Sequence, residues 1–178
     1  MVQPAPFPCD RWPKSGPDAY SLQRESQLLL LDSQPNMGVA LTMDIDDLTE
    51  LHFTNKQTVG RRMADWALTS VYGRQIPYRG PVYKSISTEG DEIRIHFSNT
   101  ADGLVTNDGR PPRHFMIAGS DGVFQPAAAT IDGHTVVVHC PDVPHPVAVR
   151  FAWSDTAVPN LFNKDGLPAS LFRTDGPK

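Results

Sequence analysis

The feature that most constrains this fold is a change in hydrophobic period near residues 77–81. Before it, apolar residues recur at helical spacing; after it, they alternate in short runs broken by turn residues. No single regular architecture accommodates both patterns, so the chain is read as an α/β region over residues 1–78 followed by a β region over residues 79–178. With 178 residues there is enough chain to bury a core in one domain or two small ones. The 17 prolines and 13 glycines fit the many turns that the second region needs.

In the first region, residues 1–17 (MVQPAPFPCDRWPKSGP) are too rich in proline for a helix. Opening on such a stretch, the chain reads as the continuation of a larger protein. DAYSLQRESQLLLLDS follows as a helix, with Tyr20, Leu22 and Leu29 partly in phase for burial. GVALTMDI is a short apolar strand. A second helix runs from Asn55 to Tyr72, with Val59, Met63, Trp66 and Ser70 inward, Arg61, Arg62 and Asp65 outward, and Gly73 as its stop.

In the second region, PVYKSISTEG and DEIRIHFS make a hairpin, in which Val82 and Ile86 alternate on one arm and Ile93, Ile95 and Phe97 on the other. RHFMIAG, AAATI, HTVVVH and VAVRFAW are further strands, and several short strands at such spacing indicate an antiparallel β-sandwich. The end, NLFNKDGLPASLFRTDGPK, reads as an irregular tail held down by Leu161, Phe162, Leu167 and Phe172.

Charge and composition remove several functions. A net charge of −4 gives no electrostatic footprint for nucleic acid, and no apolar run is long enough to span a membrane. No basic region followed by an apolar one marks a signal peptide at the start. Cys9 and Cys140 could pair but read rather as independent thiols, and neither sits in a metal-ligand spacing. His114, His134, His139 and His145 are scattered over strands and turns, and His134 and His139 fall on opposite strand phases, so no metal is expected.

The stretch with catalytic chemistry is DIDDLTELHFTNKQTVGRR, residues 44–62. An apolar strand runs into acidic residues that end at His52, and Asn55 then caps a helix. A histidine presented beside carboxylates at a strand end is a common placement for a general base. On residue type alone such a stretch is more often a helix-entry loop with a solvated histidine.

DIDDLTELHFTNKQTVGRRMADWAL and QIPYRGPVYKS, with FMIAGSDGVFQPAAATI, HPVAVRFAW and NLFNKDGLPASLFRTD, resemble the C-terminal portion of sialate O-acetylesterases, serine esterases of the SGNH (GDSL-like) class. The opening VQPAPF resembles the last strand region before the helix that leads to the histidine. The resemblance implies the C-terminal end of an SGNH-type α/β hydrolase domain followed by a β-sandwich. It also implies a Ser/His mechanism on an acetylated sugar, with no cofactor, and export to the periplasm or medium. His52 matches the family's general base. The class usually carries an aspartate three residues before that histidine, and Thr49 stands there; Glu50 and Asp47 are the nearby carboxylates, and a bare Ser–His dyad is the remaining alternative. No Gly-Asp-Ser or Gly-Gln-Ser block is present. Ser21, Ser26 and Ser33 lie on or after a helix with no nucleophile context, so the nucleophile is expected in a missing N-terminal part, leaving this chain inactive alone. Trp153 is a candidate sugar-stacking platform or a core residue. Arg173 is a candidate ligand for a sugar carboxylate or the partner of Asp175. The rival function is a non-catalytic carbohydrate-binding or protein-interaction module.

Overall fold

The structure, a computed structural model, describes residues 1–8, 18–45, 48 and 52–176. It divides into two compact units. One comprises Met1–Arg79 together with Ser154–Val158, the other Gly80–Trp153 together with Pro159–Lys178.

The first unit holds helices α1 (Ala19–Ser33) and α2 (Lys56–Ser70). The strand expected over GVALTMDI is reduced to a single parallel bridge between Val2 and Ala40. In it Gln3 N donates to Ala40 O (3.1 Å) and Ala40 N to Met1 O (2.9 Å). Thr42 Oγ1 adds a bond to Gln3 O (2.9 Å). Parallel strands are stable chiefly inside a sheet with both neighbours present, and this pair has only each other among the described residues. Helix α1 is the crossover between the two paired segments, as a parallel connection requires.

The inward face of α1 corrects the expectation from spacing. Leu22 and Leu29 are 45% and 53% exposed, whereas Ser21 and Arg24 are fully enclosed. Arg24 Nε donates to Pro4 O (3.0 Å) and Nη1 to Ser154 O (3.1 Å), and its guanidinium lies 5.6 Å from the Tyr20 ring. The helix therefore packs on backbone carbonyls, which a guanidinium satisfies and a leucine does not. Its N-terminus is capped from far along the chain: Asp155 Oδ1 accepts from Tyr20 N (2.8 Å) and Ser21 N (3.4 Å). Asp18, at φ 64, makes no side-chain cap.

Helix α2 behaves closer to expectation. Asn55 Oδ1 accepts from Thr58 N (3.1 Å), and Val59 packs with Ala40, Ile45 and Phe53. At its end Gly73 takes φ +68 and Arg74 N reaches Leu68 O (2.9 Å), a left-handed stop that favours glycine. Met63, expected inward, is exposed.

The second unit is built of antiparallel strands. Strands β1 (Val82–Glu89), β2 (Glu92–Ser98), β6 (Ala128–Asp132) and β7 (Thr135–His139) form a sheet in the order β1-β2-β7-β6. Strands β4 (Phe115–Ala118), β5 (Gln125–Pro126), β8 (Ala148–Phe151) and β10 (Phe172–Arg173) form a second, ordered β10-β8-β4-β5. Strands β3 (Leu104–Thr106) and β9 (Leu161–Asn163) pair separately. The β1–β2 hairpin turns at Gly90, at φ +71, as the Glu-Gly-Asp tip predicts. Ile93, Ile95, Val136 and Val138 alternate inward from the first sheet, and Phe115, Ile117, Val149 and Phe151 are enclosed in the second. Phe172 connects the sheets: it stacks on Tyr83 at 4.6 Å and meets Phe97 edge-on at 5.9 Å. The C-terminal stretch is thus not an irregular tail but supplies β9 and β10.

One polar knot fixes the connection between β3 and β4. The enclosed Asn160 donates to Asp108 Oδ1 (2.9 Å) and Pro111 O (3.1 Å) and accepts from Arg113 N (3.1 Å). The Asn160 amide, with the Arg110 N–H and the Arg113 guanidinium, holds the Asp108 carboxyl down at about 2.

Candidate active site

The histidine predicted as a base lies in the segment that joins the Ala40 bridge to α2. His52 is described and exposed, and among the described residues no side chain hydrogen-bonds to its imidazole. Glu50 and Asp47, the two candidate orienting acids, lie outside the described residues.

Both ends of that segment are fastened. On the N-terminal side Asp44 and Arg62 form a bidentate pair, Nη1–Oδ1 2.7 Å and Nη2–Oδ2 2.6 Å, with side chains only 7% and 10% exposed. Arg62 Nη1 also donates to Leu41 O (2.7 Å). The fork of a guanidinium matches a carboxylate in this arrangement, and the shared plane fixes direction as well as distance. Removing one partner from a pair this enclosed leaves the other charge stranded, a cost of about 3–5 kcal/mol. On the C-terminal side Phe53 packs on the Ala40–Ile45–Val59 cluster, Lys56 Nζ lies 3.9 Å from its ring, and Asn55 caps α2.

This arrangement corrects the outward placement of Arg62. Arg61 does face solvent, 3.7 Å from Asp65. Arg62 falls about 60° to one side of Val59 at 100° per residue, close enough for its long side chain to turn inward. With both carboxylate oxygens held by Arg62, Asp44 is not free to orient His52. The signal available in sequence was an arginine flanking the apolar stripe of a helix, with an aspartate at the end of the preceding strand.

Beside this pair lies a cleft of about 300 Å³, lined by Met37, Gly38, Val39, Arg62, Met63 and Trp66 among others. A Cβ on Gly38 would lie 2.5 Å from the Trp66 ring, so only glycine lets the indole rest on this backbone.

The serines of α1 are spent or sequestered. Ser26 Oγ bonds Leu22 O (2.8 Å) and Ser33 Oγ bonds Leu30 O (3.3 Å), while Ser21 is enclosed. A Ser–His contact that sequence reading did not single out lies in the β unit, where Ser87 Oγ is 3.2 Å from His96 Nε2. The pair sits on adjacent strands of a sheet rather than at a strand-to-helix turn, the setting that exposes a nucleophilic serine. Next to it Arg94 binds Glu89 and Asp132 (both 2.7 Å) and lowers the Glu89 pKa.

Trp153, the candidate sugar platform, is 7% exposed, and the Arg173 guanidinium lies 4.4 Å from its ring. Asp175 receives two bonds from Arg150 (3.1 and 2.5 Å), which lower its pKa. Among the described residues no group of three His, Cys, Asp or Glu side chains is placed to hold a metal ion, and no helix is long and apolar enough to cross a membrane.

No protein-family model matches this chain, and no curated protein does. Among solved structures, it is similar to the crystal structure of a novel carbohydrate acetylesterase from Xanthomonas citri, with 40% identity and a TM-score of 0.89. The likeness covers 99% of this chain and 40% of that one, so the chain spans about 40% of the length of the esterase it resembles.

Proposed function

We propose that this chain is the base-supplying portion of a carbohydrate O-acetylesterase of the SGNH class, and that it works with a nucleophile carried elsewhere in the complete enzyme. The observation that carries this reading is its 40% identity, over 99% of its length, to a solved carbohydrate acetylesterase. His52 accepts the proton of a serine Oγ as that oxygen attacks the acetyl carbonyl carbon. The tetrahedral intermediate collapses as His52 returns the proton to the departing sugar oxygen, and water then repeats the sequence to release acetate. A neighbouring carboxylate, Glu50 or Asp47, holds the imidazole in the productive tautomer. The residues around Val2 and Ala40 pair in parallel, the arrangement of an α/β sheet, and further strands of that sheet come from the rest of the enzyme. The substrate is an acetylated sugar of the sialate type.

The deciding experiment uses the complete enzyme. His52→Ala is expected to lower p-nitrophenyl acetate turnover by about 10³-fold or more, as loss of a triad member does. Unchanged turnover removes His52 from the mechanism. Glu50→Gln compared with Asp47→Asn then identifies the orienting acid.

A further inference from the structure

The Asp44–Arg62 pair is better built than a helix-to-strand tie requires. It is bidentate, nearly enclosed, and carries a third bond from Arg62 to Leu41 O. Enclosed ion pairs add little stability over an apolar pair of the same shape, and in some proteins what they supply instead is registry. The alignment here is between the end of the Ala40 segment and the second turn of α2. These are the two elements between which the chain reaches His52. At the other end, the Asn55 cap and the seating of Phe53 against Ala40, Ile45 and Val59 set where α2 begins, four residues after His52.

From this geometry we infer that Arg62 and Asp44 are positioning residues for His52. They touch neither substrate nor nucleophile in this reading. They fix the spacing and rotation of the two ends from which the imidazole is presented, so that His52 meets the serine at hydrogen-bond distance. The inference rests on His52 being the base. Misplacing a catalytic group by about 1 Å costs about 10²-fold in turnover, while substrate binding by other loops is untouched.

The test uses the complete esterase with p-nitrophenyl acetate. Two variants separate positioning from folding: Arg62→Lys, which keeps the charge but loses the fork, and the double variant Asp44→Leu with Arg62→Met. The double variant removes both charges together and so strands neither. Each is expected to melt close to the parent, to lose about 10²-fold in kcat, and to hold KM within about twofold. In a His52→Ala background the same changes are expected to cost nothing further, because the group they position is gone. If the double variant melts with the parent and keeps its kcat, the pair does not position His52 and the inference fails. It fails equally if the loss persists undiminished in the His52→Ala background. Should His52→Ala alone leave turnover intact, the base assignment falls first and the positioning role falls with it. A collapse in His52→Ala alongside full activity in the double variant overturns only the positioning role.

Discussion

In the β unit the enclosed side chains include Ile93, Ile95, Phe115, Ile117, Val136, Val138, Val149 and Phe151; in the helical unit they include Gln3, Ser21, Arg24 and Thr42, while Leu22, Leu29 and Leu30 stand in solvent. Two ways of holding a chain together lie side by side. The β unit removes apolar area from water, which is non-directional and scales with area. The helical unit adds, to a small apolar cluster around Ala40, Ile45 and Val59, directed bonds from a few polar side chains to backbone groups, and each such bond contributes little net stability yet is expensive to break. Stability in the first should respond to volume, and in the second to loss of single donors and acceptors.

The sharpest test of that contrast is Phe151→Ala. Phe151 is fully enclosed and in ring contact with Phe115 (4.5 Å) and Phe172 (5.9 Å). Its truncation should destabilise the β unit by about 3–5 kcal/mol. Hydrogen exchange, which resolves the units separately, should show the loss of protection concentrated in β4 and β8. A loss below about 1 kcal/mol would mean that the aromatic cluster is not the core.

Arg24→Met comes next. Methionine keeps much of the side-chain volume but leaves the carbonyls of Pro4 and Ser154 without their donor, and about 2–3 kcal/mol should be lost from the helical unit. Volume and bonding are separated here: if the arginine acts by filling space, the variant is neutral. Asp155→Ala is the smaller companion. It removes the acceptor for Tyr20 N and Ser21 N, and about 1 kcal/mol should be lost, read as fraying of the first turn of α1 in hydrogen exchange.

The β unit has one directed knot of its own, and pH reaches it. Bonds from Asn160, Arg110 N and Arg113 favour the charged form of Asp108 and hold its pKa at about 2, below the ordinary 3.8. Its contribution to stability is therefore complete above that ordinary value and fades as pH falls from there through 2. Melting temperatures measured from pH 5 to pH 2 should decline less steeply in Asp108→Asn than in the parent. Identical slopes would remove Asp108 from the acid response.

These differences also explain what the sequence could disclose. The β1–β2 hairpin is legible because Ile93, Ile95 and Phe97 alternate and the Glu-Gly-Asp tip supplies a glycine for the turn. Strands β9 and β10 are not, because three and two residues are too few to carry a period. The polar interior of α1 escapes for a different reason. Hydrophobic periodicity assumes that a helix packs on side chains, whereas Arg24 packs on carbonyls and Asp155 caps the helix from 135 residues away. At the candidate site, His52 stood out through its acidic neighbours and a family likeness, but Arg62 was read as a solvent-facing charge. Its partner Asp44 lies 18 residues back, and nothing in either residue alone marks the pairing.

The smallest expected effect bears on the outer face of α1. Leu29, 53% exposed, should tolerate replacement by glutamine with a change within about 0.5 kcal/mol, since no enclosed area is lost. The same substitution in the complete enzyme proposed above carries more information. If other parts of that enzyme cover the outer face of α1, Leu29 there behaves as a core leucine, and Leu29→Gln costs about 1.5–3 kcal/mol. A value within about 0.5 kcal/mol in both contexts would leave α1 a surface helix held by polar contacts such as those of Arg24 and Asp155. A gap between the two contexts would mean that the polar interior is one half of a helix buried on both sides, with directed bonds on the face seen here and apolar area on the other.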